Sequence, residues 1–176
     1  MAEQARAGAR PTDPVGRVLF DVARAVALAG GGVLALMAAM TAVSVTGRSF
    51  FHAPIPGDFE LIEIGLSVAV FAFLPYCHLT RGNVIVDFFM ERAPARAKAL
   101  CDAVGNLMFC AIAALLLWRH GLGAIDMYRA GETTMILGVP RWWSFPVAVL
   151  CLALLLAGCL YALWGSIRET RTGRPG

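Results

Sequence analysis

Four long stretches of this chain contain no Asp, Glu, Lys or Arg, and no other feature restricts its fold as tightly. They cover residues 25–46, 64–80, 103–118 and 142–167. A bilayer core of ~30 Å is crossed by about 20 helical residues rising ~1.5 Å each. The first and last stretches reach that length unaided. The second reaches it by taking in Leu61 and Ile62, with Glu63 at the interface. The third does so by taking in Leu100 and Cys101, with Asp102 at the interface. Of the 176 residues, 59% are hydrophobic and only 15% charged, against ~25% charged in soluble domains. The expected fold is an all-α membrane protein with four transmembrane helices. The first stretch is too long for the ~7–15-residue apolar region of a signal peptide, and 24 residues precede it, so it reads as a retained helix.

The basic residues follow the apolar stretches in a topological pattern. Arg6, Arg10, Arg17 and Arg24 precede the first, and Arg48 alone follows it. Arg81, Arg92, Arg96 and Lys98 separate the second from the third. Arg119, Arg129 and Arg141 separate the third from the fourth, and Arg168, Arg171 and Arg174 close the chain. With four crossings, eleven of these lie on one side and four on the other. The positive-inside rule puts the richer side, with both termini, in the cytoplasm. The net charge of +3 therefore reflects topology and gives no sign of nucleic-acid binding.

Residues 1–16 lack helical periodicity and read as a flexible cytoplasmic tail. A membrane domain is expected over 17–168 and a second cytoplasmic tail over 169–176. Helix 1 is expected to begin near Val18. Ala27, Gly31, Ala35 and Ala39 recur every four residues along it, either as a packing seam that allows close helix approach or as plain alanine-rich filler. The first loop, residues 47–59, contains Pro54, Pro56 and Gly57, which mark a turn. Asp58 is placed to cap helix 2. Glu60 and Glu63 lie on one face of its first turns, where the helix dipole favours acids. Pro75 is expected to kink helix 2 near its cytoplasmic end. Residues 83–99 mix Val84, Ile85, Phe88 and Phe89 with Asp87, Glu91 and Arg92, so an amphipathic interfacial segment is expected after helix 2. Helix 3 is expected to continue past Trp118, and the chain to turn back at Gly138-Val139-Pro140. Trp142, Trp143 and Trp164 suit the aromatic belts.

Familiar catalytic chemistry is missing. There is no G-x-x-x-x-G-K-[ST], no G-x-S-x-G and no H-E-x-x-H. Cys77, Cys101, Cys110, Cys151 and Cys159 form no C-x-x-C pair and read as small hydrophobes. No enzyme activity, cofactor or metal is expected. Every Asp and Glu falls near an expected interface or outside the spans, which argues against an autonomous exporter, since transporters place ionisable groups near mid-membrane. A haem- or quinone-binding anchor of a redox complex is the alternative reading. Of the three histidines, His52 and His120 share a side while His78 lies on the other, and axial ligands must meet at one depth.

An ordered set of short motifs resembles the small, DctQ-type membrane subunit of tripartite ATP-independent periplasmic (TRAP) transporters. Pro56-Gly57-Asp58-Phe59-Glu60-Leu61 is similar to the family's start of helix 2, and Leu74-Pro75-Tyr76 to a motif later in that helix. Val84-Ile85-Val86-Asp87 follows it. Glu132-Thr133-Thr134, Leu137-Gly138-Val139-Pro140 and Trp142-Trp143 are similar to the approach to helix 4. The resemblance covers about residues 45–165. It implies a non-catalytic scaffold in the bacterial inner membrane. A large membrane subunit would carry the substrate and sodium sites, and a periplasmic solute-binding protein would deliver a carboxylate such as a dicarboxylate. Glu60 and Glu63 are then expected to face a partner protein, or else to be an ordinary acidic helix start. Asp87 and Arg92 are expected either to pair with a partner or to form a solvated face, and Glu132 stands with them. Gly31, Pro75 and Pro140 are the expected structural positions.

Overall fold

The computed structural model describes residues 13–51, 55–80 and 95–172, with side chains described at 13–50, 55–80 and 104–165. Within them the chain forms four helices: α1 (Pro14–Phe51), α2 (Asp58–Leu79), α3 (Ala95–Ala130) and α4 (Ser144–Thr172). A single 3-10 turn, Arg141–Trp143, leads into α4. All four helices are long and apolar enough to cross a membrane. The expected amphipathic segment, with Asp87 and Arg92, lies outside the described residues, apart from its last five positions, which open α3.

Both boundaries of α1 differ from expectation. The helix begins at Pro14, four residues before Val18, because Asp13 offers its carbonyl to the Arg17 N–H at 3.0 Å. Proline suits the first helical position, since its missing N–H has no partner to lose there. At the other end α1 runs through the expected loop to Phe51. Ser44 and Arg48 are drawn there to Asp58 of α2, which keeps this stretch in helical register. The result is 38 residues, about 57 Å of helix, well beyond a ~30 Å bilayer core. α3, at 36 residues, is nearly as long.

α1 and α2 pack as an antiparallel pair in seven-residue register. The buried face of α1 runs through Gly16, Phe20, Ala23, Ala27 and Gly30 in alternating steps of four and three, the spacing of a coiled-coil seam. Gly30 then faces Ala72, Met37 faces Gly65, and Ser44 bonds Asp58. A Cβ on Gly30 would lie 2.7 Å from the Ala72 Cβ, and one on Gly65 would lie 2.7 Å from the Met37 side chain. Close backbone approach of this kind is how helices associate in lipid. The seam passes Gly31 by. A Cβ there would meet only the edge of Phe73 at 4.0 Å, and Ala35 and Ala39 are exposed. An every-fourth-residue stripe rotates about 40° around the helix per step, so it leaves a straight contact line after two turns.

α2 also packs against α4, and α4 against α3, while among the described residues α1 meets α4 lightly and does not contact α3. The helices thus form a row ordered α1, α2, α4, α3. The core lies along α4, where Leu152, Leu155 and Cys159 bury against Ala113 of α3, with Phe71 and Leu74 of α2 beside them. Ring contacts join α2 to α3 across this core, Phe71 with His120 and His78 with Phe109, each at 4.9 Å. The Tyr161 hydroxyl donates to Asp13 at 3.3 Å and ties the end of α4 to the start of α1. Pro75 lies fully buried inside an unbroken α2.

Candidate functional site

The end of the row where α1 and α3 finish and α2 and α4 begin (the upper end) carries the most elaborate polar arrangement among the described residues. It is organised by the first turn and a half of α2. Gly57 precedes the helix in the left-handed region, φ +78°, with the Leu137 side chain packed where a Cβ would stand, 2.6 Å from that point. An L side chain tolerates neither the conformation nor the contact. The cap position therefore belongs to Gly57, and Asp58 is the first helical residue. Its carboxylate accepts from the Phe59 N–H at 2.9 Å, from the Ser44 hydroxyl at 2.6 Å, and faces the Arg48 guanidinium at 3.5 Å. Asp58 is 9% exposed and Ser44 1%, so this carboxylate is enclosed with its hydroxyl partner, while the Arg48 guanidinium reaches it from an exposed position. Buried charges persist only when paired and hydrogen-bonded in this way.

Glu60 works across the fold. One carboxylate oxygen accepts from the Ile136 N–H at 2.8 Å and the other from the Leu137 N–H at 2.9 Å. Two successive backbone N–H groups converging on one anion are strong, directional partners. Glu63, one turn on, meets the Arg141 guanidinium at 3.1 Å. Three acids within six residues of one helix thus hold α1, the α3–α4 connector and the start of α4.

The connector is built to meet them. The Thr134 N–H donates to the Val139 carbonyl at 2.9 Å, the Gly138 N–H to the Thr134 carbonyl at 3.2 Å, and the Val139 N–H to the Thr134 hydroxyl oxygen at 3.0 Å. Arg141 N–H donates to the Glu132 carbonyl at 3.0 Å, and Thr133 pairs antiparallel with Pro140. Gly131 and Gly138 take positive φ at the two bends. The N–H groups of Ile136 and Leu137 point inward to Glu60, so the side chains at the tip point out. Met135 is 100% exposed and Ile136 64%. Trp142 stacks edge-on against Tyr128 at 5.4 Å beneath this loop.

The sequence-marked positions divide accordingly. Glu60 and Glu63 come together with Pro140 and Arg141 around the connector. The Glu132 side chain is exposed and, with Asp126, Met127 and Phe145, lines a shallow cleft of about 240 Å³. The histidines lie at different levels. His120 sits against Phe71 and Phe145, with Nδ1 3.2 Å from the Leu116 carbonyl. His78 stacks on Phe109, seven residues and about 10 Å further along α2 than Phe71. His52 lies outside the described residues. Among the described residues no three His, Cys, Asp or Glu side chains gather as metal ligands. Sequence reasoning missed the partners of Glu60, which lie 76 and 77 residues away. The local hint was Pro56-Gly57, a turn tight enough to expect something packed on it.

Four apolar helices with charged, hydrogen-bonded turns at their ends define a multi-pass helical membrane protein. The family model described as "Tripartite ATP-independent periplasmic transporters, DctQ component" matches residues 37–169, most of the chain, from within α1 to the last turn of α4. The chain belongs to that family and is a small membrane component of a TRAP transporter. No curated protein and no solved structure matches it.

Proposed function

We propose that this subunit is a non-catalytic scaffold. It holds the large membrane subunit in the bacterial inner membrane while that partner takes up a carboxylate-type solute, coupled to sodium and delivered by a periplasmic solute-binding protein. The observation that carries this reading is the placement of charge. Among the acids whose side chains are described, Asp58, Glu60 and Glu63 lie in the first two turns of α2, Asp126 near the end of α3 and Glu132 just past it, Asp13 just before α1 and Asp21 two turns into it. A carboxylate and sodium ions crossing the bilayer need polar groups at mid-depth. The core of this row, Ala113, Leu152, Leu155 and Cys159 with Phe71 and Leu74 beside them, holds no Asp, Glu, Lys or Arg, and His78 and His120 pack there against aromatic rings, so the translocation path belongs to a partner.

The charge asymmetry of the sequence favours cytoplasmic termini, with the tails 1–16 and 169–176 on that side and the upper end in the periplasm. Asp87 and Arg92 are proposed as contacts to the large subunit on the cytoplasmic side. Glu63 and Glu132 are proposed as contacts on the periplasmic side, and Gly31 as part of a small-residue stripe open to that subunit. The test is reconstitution of both membrane subunits in liposomes with the binding protein and an inward sodium gradient. Uptake is expected with the pair and lost without this chain. Equal uptake by the large subunit alone would overturn the scaffold role.

A further inference from the structure

We propose that Glu60 is a positioning residue. Its carboxylate holds the 132–140 connector so that Met135 and Ile136 stand as a preformed apolar knob, on which the water-soluble binding component of the transporter docks. This rests on the reading of the chain as a transporter scaffold and names the surface its soluble partner uses.

The argument begins with where the polar groups point. Exposed loops ordinarily leave their N–H groups to water. Here those of Ile136 and Leu137 are turned inward onto one carboxylate, and those of Thr134, Gly138 and Val139 are spent inside the loop. The Leu137 side chain is pinned on Gly57. What projects furthest at the tip is Met135, wholly exposed, and Ile136 beside it, while Leu137 is partly seated on Gly57. An apolar anchor whose backbone is already fixed costs little ordering on binding, which is what a docking hot spot requires.

The surroundings select the occupant. The tip lies between the third and fourth apolar spans, beyond the end of each. Glu60, Glu63, Glu132 and Arg141 all lie within a few residues or a hydrogen bond of it. Sinking the tip into hydrocarbon would drag those charges toward lipid at high cost, so lipid does not cover it. A membrane subunit lying along the helix flanks leaves the end of the row open. A water-soluble protein approaching along the membrane normal meets Met135 and Ile136 first. In this inference Glu60 acts through the connector it holds, each of its oxygens accepting one backbone N–H within the chain.

The test uses the reconstituted two-subunit membrane complex, with uptake measured against binding-protein concentration. Met135→Ser/Ile136→Ser changes only exposed side chains. It is expected to raise the half-saturating concentration about tenfold, the loss typical of a truncated hot-spot contact, with the maximal rate unchanged. Glu60→Ala is expected to do the same and, in addition, to speed amide hydrogen exchange at Ile136 and Leu137. Co-purification with the large subunit in wild-type amount checks that it folds. A competent wild-type complex whose concentration dependence is unmoved by the double variant, or whose maximal rate alone falls, overturns the docking knob. Faster exchange in Glu60→Ala without a shift in half-saturation overturns the positioning role. A wild-type pair that neither assembles nor transports overturns the scaffold reading itself, and this inference with it.

Discussion

At the residue scale, two adjacent glycines separate what helical propensity favours from what packing allows. Gly30 and Gly31 both sit within α1, where alanine is intrinsically better by about 1 kcal/mol. Only Gly30 lies where a methyl group would collide with Ala72 and crowd the Ala69 carbonyl. Gly30→Ala should force α1 and α2 apart and cost about 1–3 kcal/mol, seen as a lower melting temperature of the purified protein in detergent. Gly31→Ala should be neutral or slightly stabilising in the same assay. Equal effects would show that the seven-residue register between α1 and α2 is wrong. The four-residue stripe seen in the sequence selected Gly31. The packing line runs through Gly30 because contact between two helices follows a period near 3.5 residues.

At the element scale, the connector between α3 and α4 is held by its own hydrogen bonds and by Glu60, and one glycine at the start of α2 makes room for it. Gly57→Ala would impose a left-handed strain of about 1–2 kcal/mol and displace Leu137 from its seat. The expected result is faster proteolysis at the connector, with all four helices retained by circular dichroism. Unchanged proteolysis would mean that Leu137 does not depend on that seat. Much of this level was legible beforehand. The uncharged stretches marked four helices, and the extension of α3 past Trp118 and the turn at Gly138-Val139-Pro140 were expected. The start of α1 was knowable from Asp13-Pro14, an ordinary helix opening. The continuation of α1 to Phe51 was not, because Ser44 and Arg48 answer to Asp58, a residue beyond the turn. The grip of Glu60 on Ile136 and Leu137 was hidden for the same reason. Local pattern reports which residues favour a helix start, whereas a carboxylate's partner is fixed by how distant elements fold together.

At the scale of the whole molecule, a row of helices has more flank than core. Among the described residues α3 packs chiefly on α4 and the turn before it, with ring contacts to α2, and α1 packs chiefly on α2, so large apolar side chains remain exposed along both outer helices. That surface suits a protein embedded in lipid and laid against a larger partner, in agreement with its family. Topology can be tested without that partner. In intact cells, Met135→Cys in a background lacking the native cysteines should react with a membrane-impermeant maleimide, and Gly176→Cys should react only after the membrane is opened. The reverse pattern would invert the orientation drawn from the basic residues.

The most direct measurement of the central claim is co-purification of the tagged chain from its native membrane in mild detergent, with its companions identified by mass spectrometry. The scaffold account predicts a large polytopic membrane subunit in roughly equal amount, stable through a second purification step. Recovery of this chain alone, or of redox subunits in place of a permease, would contradict it.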